Sequence, residues 1–272
     1  HDAVPAPVPV SNKSGKTLVI NSGSNGKYLS VLDLDVRNGR VADFRYRLLP
    51  VFSNLIEPDA RMAAHIEKVR NQNVTFMGQS FKMKDRLEEK LAVTESLLYR
   101  RGNFNGSFDQ LIVDAMLEVQ GADVAFSPGF RWGTSLLPGD TITMEHLMDQ
   151  TAITYATATL NERSGEQIKN ILEDIADNLF NKDPYYQQGG DMVRVGGLKY
   201  AIDPTQTIGK RITDMEVDGS AVSPKKTYLV AGWASVNEGT QGPPVWDVVM
   251  SHIRKKKVVA PQDGGHVRVL NG

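Results

Sequence analysis

Along the first fifty residues the hydrophobic pattern is that of β structure. Tyr28 to Val36 runs Tyr-Leu-Ser-Val-Leu-Asp-Leu-Asp-Val and reads as a strand. Asn38-Gly39 then predicts a tight hairpin turn, with Val41 to Leu49 returning as the partner strand. Upstream, Pro5, Pro7 and Pro9 alternate with Val4, Ala6, Val8 and Val10, which suits an extended edge segment. Thr17 to Ile20 is a short apolar run ahead of the turn cluster Asn21 to Gly26. The pattern predicts three strands at a sheet edge, too few to make a domain alone.

The period changes near residue 57. Residues 57–73 predict a helix with Pro58 near its start and Met62, Ile66 and Val69 on one face. It reads equally as a linker or as an ordinary packed helix. From residue 74 onward helices and strands alternate. Ser107 to Gln110 and Ser164 to Gln167 both carry the capping-box pattern, each opening an apolar-faced helix. Strands are predicted at 122–126, 193–195, 198–202, 212–217 and 227–233. Pro243-Pro244 precede a last helix with Val245, Val248, Val249 and Ile253 inward, ending in Lys255-Lys256-Lys257. The expected organisation is 1–52 as strands, 53–73 as a helical linker and 74–272 as one α+β body with a mixed sheet and packed helices.

Composition narrows the function classes. Of 272 residues, 31 are basic and 32 acidic, a net charge of −1, which gives no support to a nucleic-acid binder. No stretch approaches the roughly 20 apolar residues of a membrane-spanning helix. The absence of cysteine excludes disulfides, thiolate metal sites and cysteine nucleophiles. It fits the cytoplasm and a periplasm equally. His1, His65, His146, His252 and His266 show no metal-ligand spacing, and no Ser-His-Asp constellation stands out.

The segment Phe126 to Gly133 carries the most suggestive chemistry. A strand runs into a Pro128-Gly129 turn that presents Arg131 between Phe130 and Trp132. Arginine holds an oxyanion such as phosphate or sulfonate through a planar fork. The alternative is a surface ion pair beside two core aromatics. Arg100-Arg101, just before a helix start, could add to an anion site, though such a pair is more often simply exposed. Trp233 ends a strand in small residues that a ligand could approach, or packs in the core.

The order of these segments resembles the C-terminal half of the 5′-nucleotidase family. Gly26 to Leu32 resembles the strand closing that family's metallophosphatase domain, and Asp109 to Met116 the first helix of its C-terminal domain. Ser127-Pro128-Gly129-Phe130-Arg131 stands where the family has Asn-Gly-Gly-Gly-Ile-Arg, whose Arg binds the substrate anion. Leu137 to Thr143 and Val193 to Leu198, with Tyr200 and Asp203-Pro204, match later segments. Nucleotidases stack the base between two Phe residues. Here the first position is Met192, and the second region, Asn237 to Gly242, has no such Phe. These departures resemble the SoxB-type thiosulfohydrolase branch.

That resemblance implies a metallophosphatase remnant at 1–52, followed by a 5′-nucleotidase-like C-terminal substrate-binding domain. It implies substrate-binding roles for Arg131, Arg101, Phe130, Trp132, Met192 and Trp233. His1-Asp2 resembles the end of the family's Gly-His-Thr-His-Asp motif, which would make His1 a metal ligand in the longer enzyme only. The start at His1 also predicts a fragment or processed product, inactive by itself and binding no catalytic metal. The whole enzyme would be a periplasmic hydrolase with two divalent metals, manganese by family resemblance. It would release sulfate from cysteine-S-thiosulfonate on the swinging arm of a SoxYZ carrier. Without their own domain the first strands would have open edges through which copies could pair. A nucleotidase, or a binding module without catalysis, are the other readings.

Overall fold

A computed structural model describes residues 3–76, 78–129, 133–152, 155–235, 240–261 and 265–271. The chain parts into two compact units, His1–Met83 and Lys84–Gly272.

Unit 1 is built of hairpins. β1 (Val8–Asn12) pairs antiparallel with β2 (Gly15–Val19), and β3 (Tyr28–Arg37) with β4 (Arg40–Pro50). The β3–β4 turn is Asn38-Gly39, both at positive φ (51° and 74°), as a two-residue hairpin turn of the mirror-image type requires. Four strands in two separate pairs therefore replace the three strands of one edge expected from sequence. α1 (Ala60–Arg70) starts at Asp59, whose carboxylate accepts from Met62 N at 2.8 Å. Pro58 lies just outside the helix. The apolar face is largely open: Met62 is 57% exposed and Ile66 49%, while Val69 is half-buried. β5 (Asn73–Phe76) and β6 (Gln79–Lys82) form a third hairpin.

The short α2 (Met83–Leu87) falls at the division. Unit 2 then runs β7 (Lys90–Thr94), α3 (Ser107–Gln120), β8 (Val124–Ser127), β9 (Thr141–Thr143), α4 (Met144–Thr151), β10 (Thr159–Ser164) and α5 (Gly165–Phe180). It continues with β11 (Arg194–Gly196), β12 (Leu198–Ile202), β13 (Ile212–Val217), β14 (Ser220–Ala221), β15 (Thr227–Gly232), α6 (Val245–Lys256), β16 (Val258–Val259) and β17 (Val267–Val269). The central sheet has the order β10-β15-β8-β11, with β15 and β8 parallel and the other pairs antiparallel. A second sheet, β14-β13-β12-β17, and a third, β16-β7-β9, complete the mixed α+β architecture.

Two apolar clusters hold unit 2 together. α3, α4 and α6 bury Phe108, Ile112, Met116, Leu147, Val249 and Ile253 with Trp233. α5 lays Ile168 and Leu172 against Val195, Tyr200, Ile202 and Ile212 from the strands. The α5 start follows the sequence pattern: Ser164 Oγ accepts from Gln167 N at 3.2 Å, and Gln167 Oε1 accepts from Ser164 N at 2.9 Å. The α3 start departs from it. Gly106 is the cap, Asp109 accepts from Gly106 N at 3.0 Å, and Ser107 instead accepts from Tyr99 N and donates to the Leu97 carbonyl. Gln110 turns to Asp114 and Asn105. No helix among the described residues is long and apolar enough to cross a membrane.

Candidate functional site

The segment after β8 is framed by charges that the fold buries. Arg100 donates Nε–H to Asp109 Oδ1 at 2.7 Å, one Nη to the Gln150 carbonyl at 2.8 Å and the other to the Pro128 carbonyl at 2.9 Å. On the other side of Asp109, Arg194 places Nε 3.4 Å from Oδ2 and donates to Asp191 at 3.2 Å and to the Gly102 carbonyl at 2.9 Å. The side chains of Arg100, Asp109 and Arg194 have no exposed surface. Burial pushes the Asp109 carboxyl up, while the two guanidiniums and the Gly106 N–H pull it down. Two cations meet two anions here, and the pairs close on one another. Arg100, read from sequence as either part of an anion site with Arg101 or simply exposed, faces inward and supports backbone.

This network fixes both ends of the Pro128 to Thr134 segment. Pro128 hangs from Arg100. Gly129 lies so close to the next strand that a Cβ would sit 2.6 Å from the Met192 carbonyl and 2.8 Å from Asp191 Cβ. Gly133 has φ +94° and would drive a Cβ into the Gln150 side chain, which itself donates to the Thr134 carbonyl at 3.1 Å. Asn105 adds a further tie: its amide donates to Val195 O at 2.8 Å and accepts from Val195 N at 3.0 Å, like a strand neighbour of β11.

Of the residues named from sequence, Phe130, Arg131, Trp132 and His1 lie outside the described residues, as do 236–239. Arg101 is half-buried on the loop before α3. Met192 is fully buried in the α5 cluster, beside the Gly129 turn through its carbonyl. Trp233 is 6% exposed, and its Nε1–H donates to Ser127 Oγ at 2.9 Å, joining the ends of β15 and β8. Ala234 follows at φ +67°, a left-handed conformation that a residue with a Cβ rarely holds outside constrained sites. Met192 and Trp233 thus both meet the chain at the end of β8, at Gly129 and Ser127.

Sequence reasoning gave no role to Arg194 or Gln150, and read Asp191 as the end of a glycine-rich turn, a hairpin or pocket rim. The signal for Arg194 was available: a charge between Val193 and Val195 in a predicted strand. Gln150 offered none, because its contact with Gly133 arises only when α4 folds against the turn.

A model of the 5′-nucleotidase C-terminal domain matches residues 91–248. The chain belongs to this family. Along its whole length it is 35% identical to a solved Thermus thermophilus sulfate thiohydrolase, SoxB, determined with glycerol, at a TM-score of 0.86. The same fold recurs at 20% identity in a 5′-nucleotidase precursor, also from Thermus thermophilus, over 98% of this chain with a TM-score of 0.75. It recurs again at 15% identity in the Haemophilus influenzae NAD nucleotidase, over 97% of this chain with a TM-score of 0.57. The chain spans only about half of these relatives: 49%, 54% and 57% of their lengths. No curated protein matches it. Among the described residues no group of three or more His, Asp or Glu could hold a metal ion.

Proposed function

We propose that this chain is the substrate-binding half of a hydrolase that releases sulfate from cysteine-S-thiosulfonate on a SoxYZ-type carrier in the periplasm. One observation carries the reading: 35% identity to a sulfate thiohydrolase across the entire chain, against 20% to the nucleotidase precursor. The residue at position 192 supports it. Met192, at the position of a base-stacking Phe in nucleotidases, has no ring and no exposed surface, and so offers a nucleobase no stacking face. In this reading Arg131 receives the sulfonate through its planar fork. The buried Arg100–Asp109–Arg194 group anchors Pro128, and Trp233 ties the end of β15 to Ser127. Metal ligands, manganese in this reading, come from residues outside those described. The metal centre would supply the activated water that hydrolysis needs.

The test compares the full-length enzyme, supplied with manganese, on a cysteine-S-thiosulfonate carrier peptide and separately on AMP. Sulfate from the peptide with no phosphate from AMP is expected. Phosphate from AMP without sulfate would reassign the chain to a nucleotidase.

A further inference from the structure

The stretch between α5 and β11 holds a feature that the site above does not use. Tyr185 is 95% exposed and its neighbour Tyr186 67%. Single exposed apolar side chains are ordinary, but these two rings are adjacent and held outward by a braced turn. They sit on one turn of 3₁₀ helix, Pro184–Tyr186, with Pro184 fixing the backbone at its start. The Asp183 carboxylate accepts from Tyr185 N at 3.0 Å, and the Asp183 carbonyl accepts from Tyr186 N at 3.1 Å. The Asn181 side chain accepts from Asp183 N at 3.0 Å and donates to Asp177 on α5 at 2.8 Å, while its carbonyl accepts from the Gln187 amide at 2.6 Å. Asp177 is itself paired with Arg211 at 2.7 Å.

Three observations bear on what such a platform meets. The rings stand out from the surface and give a small molecule no enclosure, whereas a polypeptide can lie across both. Tyrosine is a favoured interface residue because it brings a large rigid surface at low entropic cost. The stretch Asn181 to Gly190 is neutral, with Lys182 balanced by Asp183, so it suits neither nucleic-acid phosphates nor a strongly acidic protein. The same stretch runs directly into Asp191, which accepts from Arg194, and Met192, whose carbonyl lies against Gly129. From Tyr186 to Asp191 the chain can span at most about 18 Å, so a polypeptide resting on the rings lies within reach of the Gly129 turn.

We propose that Tyr185 and Tyr186 are the docking point for the carrier polypeptide, holding it beside its modified cysteine while the thiosulfonate reaches the site. The inference rests on the sulfate-releasing reading, in which the substrate is borne by a protein, and adds to it the surface that recognises the carrier instead of the reacting group.

The experiment measures sulfate release by the full-length enzyme, supplied with manganese, from two substrates that share one reacting group. One is the whole carrier charged with thiosulfonate at its arm cysteine, the other N-acetylcysteine amide charged in the same way. The variants are Tyr185→Ser with Tyr186→Ser, and Tyr185→Phe with Tyr186→Phe. Both positions are exposed, so melting temperatures should not move. The serine pair should raise KM for the carrier about tenfold or more, with kcat and the small substrate unchanged. The phenylalanine pair keeps both rings and should behave as the wild type does. A carrier KM unmoved by the serine pair, or an equal loss on both substrates, would overturn the docking proposal and leave the sulfate reading intact. No sulfate from either substrate with the wild type would overturn that reading and the docking with it.

Discussion

Arg100 donates to Asp109 at 2.7 Å, and neither side chain has any exposed surface. Taking two charges out of water is expensive, and the pair persists because Asp109 also faces Arg194 and the Gly106 N–H. Asp109→Leu would leave two buried guanidiniums without their shared carboxylate. The expected loss is about 3–5 kcal/mol, read from urea unfolding followed by tryptophan fluorescence. All three tryptophans, at 132, 233 and 246, belong to unit 2, so the signal reports that unit. The exposed Asp214–Arg268 pair of unit 2 is the control, and Asp214→Asn should change stability by less than about 0.5 kcal/mol. Equal, small effects at both positions would mean that the buried network contributes little.

What was legible in the sequence follows from what is local. The β3–β4 hairpin rests on alternation and on Asn38-Gly39, and the α5 start on Ser164 and Gln167, so neighbours in sequence decide both. Ser107 failed as a cap because the distant partners Leu97 and Tyr99 claim its hydroxyl. The α1 sequence left linker and packed helix equally open, because periodicity shows that a helix has an apolar side, not that a neighbour covers it; Met62 and Ile66 are exposed. Arg131 could be named from its motif. The group that holds its turn could not, since Arg100, Asp109, Gln150 and Arg194 meet only through tertiary folding.

Gly133 is held by two independent constraints, φ +94° and the Gln150 side chain. Gly133→Ala should destabilise the protein by about 1–3 kcal/mol and lower sulfate release in the full-length enzyme. Adding Gln150→Ala removes the collision but not the backbone strain, so it should restore stability only in part. Full rescue by the second substitution would show that the conformation costs nothing there.

Asp203 gives a pH dependence with a definite sign. Hydrogen bonds from the Thr205 hydroxyl at 2.6 Å and from Asn271 at 3.0 Å hold its carboxyl down at about 2. The folded value lies below the unfolded one, near 3.9. Its contribution to stability is therefore fully present above about pH 4 and is lost as pH falls through about 2. Unfolding curves of the wild type and Asp203→Asn should differ at neutral pH and converge across that window. A gap that stays constant down to pH 2 would place the effect elsewhere.

Arg131→Ala separates binding chemistry from scaffolding. The turn on either side is held by contacts that do not involve Arg131: Gly129 against Met192, and Gly133 against Gln150. Its removal should leave the melting temperature of the full-length enzyme unchanged while lowering kcat about 10²–10³-fold, as for loss of a donor to developing negative charge. Arg131→Lys keeps the charge but not the planar fork, and should recover only part of the rate. Arg101→Ala, removing a half-buried residue on the loop before α3, should cost less than Arg131→Ala. Near-normal turnover in Arg131→Ala would remove the central element of the proposed site. Loss of activity together with loss of folding would make Arg131 a structural residue.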